Sequence, residues 1–378
     1  MLLTPQESVK IRESFPALKD LIFLNSASVT PFPKQCRDAL NKTNDQRLNS
    51  AYLELPGWER LISEARAMAA SMMGCSPEET AFVKNTAQGL SFVASGLDLK
   101  PGDEVIVNDL EFPSNVYPWL NLERKGVKVT IAKSSGGRIT PDMIAPLVTA
   151  RTRVLAISSV QYATGYRADL ASLGQMARDK GFLLVVDAIQ SMGVIPMDVK
   201  ALGIHFLSAG GFKWLCGPIG TGMFFCDGKM LDSLSLITAG WNSVKNAGQY
   251  DVIDFTLRET AQRFEEGSGN FSGTIGLLES MKLLTGVGIG KIESHALDLN
   301  LYLAERLKSR GLEVLSSMED GERSGILIFK PQEGQSPESV FKGLESRNIL
   351  VSPRGGGVRV SPHFFNTTED MDRLLEVL

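Results

Sequence analysis

A lysine set between paired glycines and bulky apolar residues is a candidate amine nucleophile. The chain carries one, Lys213, in Ser208-Ala-Gly-Gly-Phe-Lys-Trp-Leu-Cys-Gly-Pro-Ile-Gly-Thr-Gly. Loss of hydration in such surroundings disfavours the ammonium form, lowers the pKa and makes the amine a better nucleophile toward aldehydes. The plain alternative is a surface lysine in a turn. Upstream, Phe182-Leu-Leu-Val-Val-Asp-Ala-Ile-Gln-Ser reads as a buried strand that ends on an acid, Asp187. A buried carboxylate needs a partner; otherwise Asp187 is an N-cap for a segment beginning at Ala188. The glycines after Lys213 run G-x-x-G-x-G with no following Lys-Ser/Thr. They form neither a Walker loop nor a dinucleotide fingerprint.

These residues need elements to hold them. Candidate strands are Ala81–Lys84, Glu104–Asn108, Lys128–Ala132, Val154–Ser158, Phe182–Asp187, Phe206–Ala209 and Gly222–Cys226. Helical patterns separate several of them, such as Asp169–Lys180, with Asp169 as N-cap and Gly181 closing it. This alternation predicts an α/β fold: a seven-stranded, mostly parallel sheet covered by helices on both faces, with ligands at the carboxyl ends of the strands. Leu61, Ala65, Met68 and Met72 mark an earlier helix ending at Gly74, and its methionines read as core. Ile292, Ala296, Leu299, Leu303 and Leu307 mark a long later helix. Strand-like runs at Gly325–Phe329, Ile349–Ser352 and Val358–Ser361 and a helix over Thr368–Leu378 predict a small C-terminal α+β domain. The expected division is a large domain over 18–280 and a small one over 281–378 with 1–17.

At 378 residues the chain is long enough for two domains. A net charge of −4 argues against nucleic-acid binding. No apolar run is long enough to span a membrane, and no secretory signal pattern opens the chain. Cys36, Cys75, Cys216 and Cys226 show no C-x-x-C spacing, so a reducing, cytoplasmic setting is expected. His205, His295 and His363 stand apart and make no metal motif. Neither G-x-S-x-G nor a G-x-G-x-x-G between a first strand and helix occurs, which disfavours hydrolases and Rossmann-type oxidoreductases.

Taken together, Asp187, Gln190 and Lys213, in that order and spacing, resemble the cofactor site of the class V aminotransferase family. This group of fold-type I enzymes uses pyridoxal 5′-phosphate (PLP) and includes cysteine desulfurases, kynureninases and isopenicillin N epimerases. The resemblance runs from Phe23-Leu-Asn-Ser-Ala-Ser to Arg359-Val-Ser-Pro-His-Phe-Phe-Asn-Thr, nearly the whole chain. It implies that Lys213 binds PLP covalently and later moves the substrate's α-proton. Asp187 would pair with the ring nitrogen and Gln190 would reach the ring's phenolic oxygen. Thr86 and Ala87, in Asn85-Thr-Ala-Gln-Gly, would bind the phosphate at a helix N-terminus, although Thr86 also fits an ordinary cap. Phe112, in Asp109-Leu-Glu-Phe-Pro-Ser-Asn-Val-Tyr-Pro-Trp, aligns with the aromatic residue that stacks on the ring. Gln161 and Tyr162 straddle the position on the ring-oxygen side, and both stay open. Asn25 and Arg359 would bind the substrate, with Arg359 clamping its carboxylate. Ser268 would reach the phosphate of a neighbouring subunit, implying a homodimer.

The chain also departs from the family. Desulfurases carry a nucleophilic cysteine on a mobile loop, where this chain has the short Ser352-Pro-Arg-Gly-Gly-Gly-Val-Arg359. They also have a histidine at the place of Phe112, and phenylalanine cannot transfer protons. Phe212 and Gly210 stand where many relatives have histidine and serine, so phosphate binding is expected to be weaker or reassigned to backbone amides. The missing loop cysteine and Phe112 in place of histidine disfavour persulfide chemistry. An aminotransferase acting on a small amino acid is the expected activity, ahead of a lyase, an epimerase or a non-catalytic PLP-binding protein.

Overall fold

The computed structural model describes residues 2–378. The apolar runs form strands, here β1 (Ile22–Phe23), β2 (Thr80–Val83), β3 (Glu104–Asn108), β4 (Lys128–Ala132), β5 (Thr152–Ser158), β6 (Leu183–Asp187), β7 (Phe206–Gly210), β8 (Gly222–Cys226), β9 (Leu327–Phe329), β10 (Ile349–Leu350), β11 (Ser352–Arg354) and β12 (Gly357–Val360). Seven of them make one sheet in the order β2-β8-β7-β6-β5-β3-β4. Only β8 runs against the rest, antiparallel to both β2 and β7. The other pairs are parallel. Alternate residues along a strand serve opposite faces. On β5, Leu155 and Ile157 join one apolar cluster while Val154 and Ala156 join another; on β6, Leu184 and Val186 separate from Val185 in the same way. The sheet is therefore buried on both sides, as the unbroken apolar runs require.

Local signals end the elements where the sequence places them. The helix Leu170–Lys180 begins with Asp169 accepting the Ser172 N–H at 3.0 Å and ends at Gly181 with φ +75°. The helix Leu55–Met73 stops at Gly74 in the left-handed region. The strand expected over Ile349–Ser352 is two strands: β10 pairs in parallel with β1, and β11 turns to pair with β12. That break ties the chain's first strand to its last hundred residues. A third apolar cluster joins β9, β10 and β12 to the helices Ile289–Ser309 and Thr368–Val377. Among the described residues, no helix is long and apolar enough to cross a membrane.

Candidate active site

Five strands that run the same way deliver side chains to one edge of the sheet. Thr86 opens the helix after β2, Glu111 and Phe112 follow β3, and Gln161 and Tyr162 follow β5. Asp187 ends β6, and Lys213 follows β7. Register aligns Ser158 of β5 with Asp187, and Asp187 with Ser208 of β7. In a parallel sheet this is where ligands sit.

Lys213 and Asp187 lie close enough to feel each other's charge but form no ion pair within 4 Å among the described residues. Burial pushes the Asp187 carboxyl up, and the charge of Glu111 adds to it; the Ile189 N–H, donated at 2.9 Å, and Lys213 oppose. Burial pulls the Lys213 amine down against the pull of Asp187, with Arg359 lowering it further. Both charged forms are poorly solvated, and neither finds a full partner in the protein. The Lys213 Nζ stands 5.8 Å from the centre of the Phe112 ring, whose edge meets Tyr162 at 5.2 Å between centroids.

Glu111 escaped the sequence reading, although it sits beside Phe112. Its buried carboxylate accepts from the side chains of Asn108, Asn115 and Gln161 at 2.6, 2.9 and 2.8 Å. It also accepts from the Ser158 backbone at 2.7 Å and from the Ser158 hydroxyl. With the Gln161 amide nitrogen bound to Glu111, the carbonyl oxygen of Gln161 is left buried and unpaired.

Arg359, on β12, is only 2% exposed. Its Nη1 donates to the Tyr162 carbonyl at 3.1 Å, and its Nη2 to Asn25 Oδ1 at 3.3 Å and Ser28 Oγ at 2.8 Å. The bridge between Asn25 and Ser361 brings Asn25 to this place. Among the described residues no carboxylate lies within 4 Å of Arg359, its Nε has no acceptor, and burial lowers its pKa to about 10. Gln190 is already engaged: its Oε1 accepts from Trp214 Nε1 at 2.8 Å and its Nε2 donates to Ala27 at 3.1 Å, leaving one amide hydrogen. Ser268 is exposed and makes no hydrogen bond with the other site residues. The cap is Asn85, whose Oδ1 accepts the Gln88 N–H at 2.9 Å; Thr86 is the first helical residue, and its Oγ1 accepts the Gly210 N–H at 2.9 Å. The first N–H groups of its helix keep no intrahelical partner. A Cβ at Gly210 would lie 3.1 Å from the Phe212 ring and 3.2 Å from Ile189, so a larger residue there would crowd Phe212.

The model of the aminotransferase class-V family matches residues 22–374. The chain belongs to that family. A probable cysteine desulfurase of Methanothermobacter thermautotrophicus is 30% identical over 97% of this chain and 96% of its own length. An uncharacterised aminotransferase of Bacillus subtilis is 25% identical, covering 97% and 95%. The apo structure of a cysteine desulfurase from Thermococcus onnurineus NA1 superposes with a TM-score of 0.88 at 25% identity, over 100% of this chain and 98% of that one.

The class-V cofactor, PLP, suits what these residues lack. A protonated ring nitrogen answers Asp187, which forms no ion pair within 4 Å among the described residues, and an anionic group answers the free amides at Thr86 and Ala87. The aldehyde answers a poorly hydrated amine.

The thiols of this class-V chain lie elsewhere. Cys36, Cys216 and Cys226 are buried and Cys75 is half-buried. Burial raises all four, Cys36 and Cys75 to about 11, away from the thiolate form that persulfide chemistry needs. Where desulfurases carry their cysteine loop, β11 and β12 close through Gly355 and Gly356 alone. Both have positive φ, +63° and +77°, as a tight hairpin turn of this kind requires.

His363 braces the Lys213 segment from behind. Its Nδ1 accepts the Phe364 N–H at 2.8 Å, so its Nε2 must donate to the Trp214 carbonyl, also at 2.8 Å. Protonation would set two N–H groups face to face, and burial holds the pKa near 3. The folded pKa lies below the unfolded one, so stability from this group is complete above about pH 6.5 and falls with acid down to about pH 3, by about 1.4 kcal/mol per pH unit. His363→Gln should melt lower at pH 7 but show a flatter loss of urea stability between pH 6 and 4. An unchanged slope would remove His363 as the source.

Proposed function

We propose that the protein is a PLP-dependent aminotransferase acting on a small amino acid, with Lys213 as its covalent anchor and proton carrier. The observation that supports this most is the placing of buried Asp187 at the end of β6 and Lys213 just after the neighbouring β7, with no ion pair between them among the described residues. Asp187 would hold the ring nitrogen of PLP, Thr86 and Ala87 its phosphate, and Phe112 one face of its ring. Gln161, Tyr162 and the free amide hydrogen of Gln190 would serve the ring-oxygen side. When bound, PLP supplies an electron sink for negative charge at the substrate's α-carbon.

The chain's own residues account for the rest. Arg359 commits three of its five N–H groups to Tyr162, Asn25 and Ser28 and would offer a remaining one to a substrate carboxylate. Burial leaves Lys213 partly unprotonated near neutral pH, so one amine can take the α-proton and deliver it elsewhere. Phe112 offers no second acid–base group beside it. One proton carrier suffices for amino transfer. Single-turnover mixing with individual amino acids tests this: loss of the visible cofactor band with release of a 2-oxo acid and no ammonia is expected. Ammonia release would assign a lyase, racemisation an epimerase, and no conversion a binding protein; each overturns amino transfer.

Arg359→Ala should weaken amino-acid binding by about 30-fold or more, the usual loss when one partner of a buried charge pair is removed, while PLP content stays unchanged. Unaltered affinity would take Arg359 out of the site. A homodimer sharing its sites belongs to the same proposal. Ser268 is exposed, and Ile237, Trp241, Tyr250, Val252, Ile253 and Phe255 expose apolar surface along one irregular stretch. Light scattering should give twice the mass of one chain; a monomer at assay concentration would end the shared-site idea.

A further inference from the structure

We propose that Arg354 is a second anion-binding residue of this site and that the substrate is a dicarboxylic amino acid. The inference deepens the amino-acid reading above and rests on it. In the hairpin register Ser352 faces Arg359 and Arg354 faces Gly357. Residues two apart on a strand, and residues directly opposite across a pair, share a face. Arg354 and Arg359 therefore stand on the same face as diagonal neighbours, about 7–8 Å apart at their side-chain roots. The tip is held in place. A Cβ at Gly355 would fall 1.9 Å from the Ala163 carbonyl, so the turn rests against the segment that carries Tyr162 and positions Arg354 beside it.

Several arginines of the chain have an acidic partner, among them Arg12, Arg66, Arg138, Arg153 and Arg167. Arg354 and Arg359, like some others, have none among the described residues, and these two share one face. Arg359 is buried with a free Nε, and the one hydrogen bond of Arg354 is a 3.4 Å contact with the carbonyl of the preceding residue. The charge of Arg354 depresses the pKa of Arg359, so the two repel with nothing in the described protein to neutralise them. Two guanidinium groups on one face of a strand pair make a doubly cationic surface that an anion can join. A ligand with one carboxylate would satisfy Arg359 and leave Arg354 idle. A ligand with two would satisfy both, each guanidinium fitting a planar anion.

The test is calorimetric binding of pentanedioate and pentanoate to the PLP-loaded protein. Neither ligand has an amine, so neither can react. Pentanedioate should bind about 10- to 100-fold more tightly, the range expected for an added charged hydrogen-bonded contact. Arg354→Ala and Arg354→Gln should bring that ratio close to one, with thermal melts confirming that the exposed tip still folds. Equal binding of the two ligands by the unaltered protein, or an unchanged ratio in both variants, would overturn the proposal. Turnover plays no part in this measurement. If the amino-acid panel rejects amino transfer, the ratio still reports on Arg354; if the ratio fails, the Lys213 chemistry stands.

Discussion

Lys213→Ala is expected to purify colourless and folded, with no covalently held cofactor and no turnover of any amino acid. The physical basis is that an aldehyde can be captured only by an unprotonated amine, and burial beside Arg359 depresses this one. The fold should survive because Lys213 forms no ion pair among the described residues, so its removal leaves no buried partner stranded. Loss of a nearby positive charge moves Asp187 further in the direction burial already pushes it. The sharper form of the test is borohydride reduction of the unaltered protein followed by peptide mapping. A pyridoxyl label on Lys213 is expected, and a label on any other lysine sinks the assignment. A Lys213→Ala protein that keeps the visible band would do the same.

Much of this arrangement was legible in the sequence because it depends on strand ends. Five apolar residues before Asp187 required a buried strand, and β6 ends on that acid. The expected strand Phe206–Ala209 is β7, and the Lys213 segment follows it directly. Before Arg359 the sequence showed a short stretch with three glycines, but not the hairpin it forms. Only the register shows that Arg354 shares a face with Arg359, because one residue's slip would send it to the other side. Gln190 could be placed by spacing, yet its bond to Trp214 depends on how two loops pack, which spacing does not encode. Glu111 was invisible for a similar reason. Two of its donors are local, Asn108 and Asn115, but Ser158 and Gln161 come from 47 and 50 residues away on another strand.

That dependence makes Glu111 the residue whose loss should cost most stability. Glu111→Leu keeps the volume but strands five donors at once: the side chains of Asn108, Asn115 and Gln161, and both the backbone and hydroxyl of Ser158. Each orphaned buried donor costs about 1–3 kcal/mol before relaxation, so a loss of several kcal/mol follows. A lowered urea midpoint of that size is the expected result. Glu111→Gln should lose less, because its remaining oxygen still accepts while its new amine meets donors that cannot receive it. The site should respond as well as the fold. Glu111 is one of the charges that push the Asp187 carboxyl up, so either variant should let Asp187 ionise more readily. Gln161, freed from its anchor, should turn its amide, and its unpaired oxygen would no longer be fixed in place. If Glu111→Leu were as stable as the parent, these five bonds would carry no weight, and the segment before Phe112 would have to be held by packing alone.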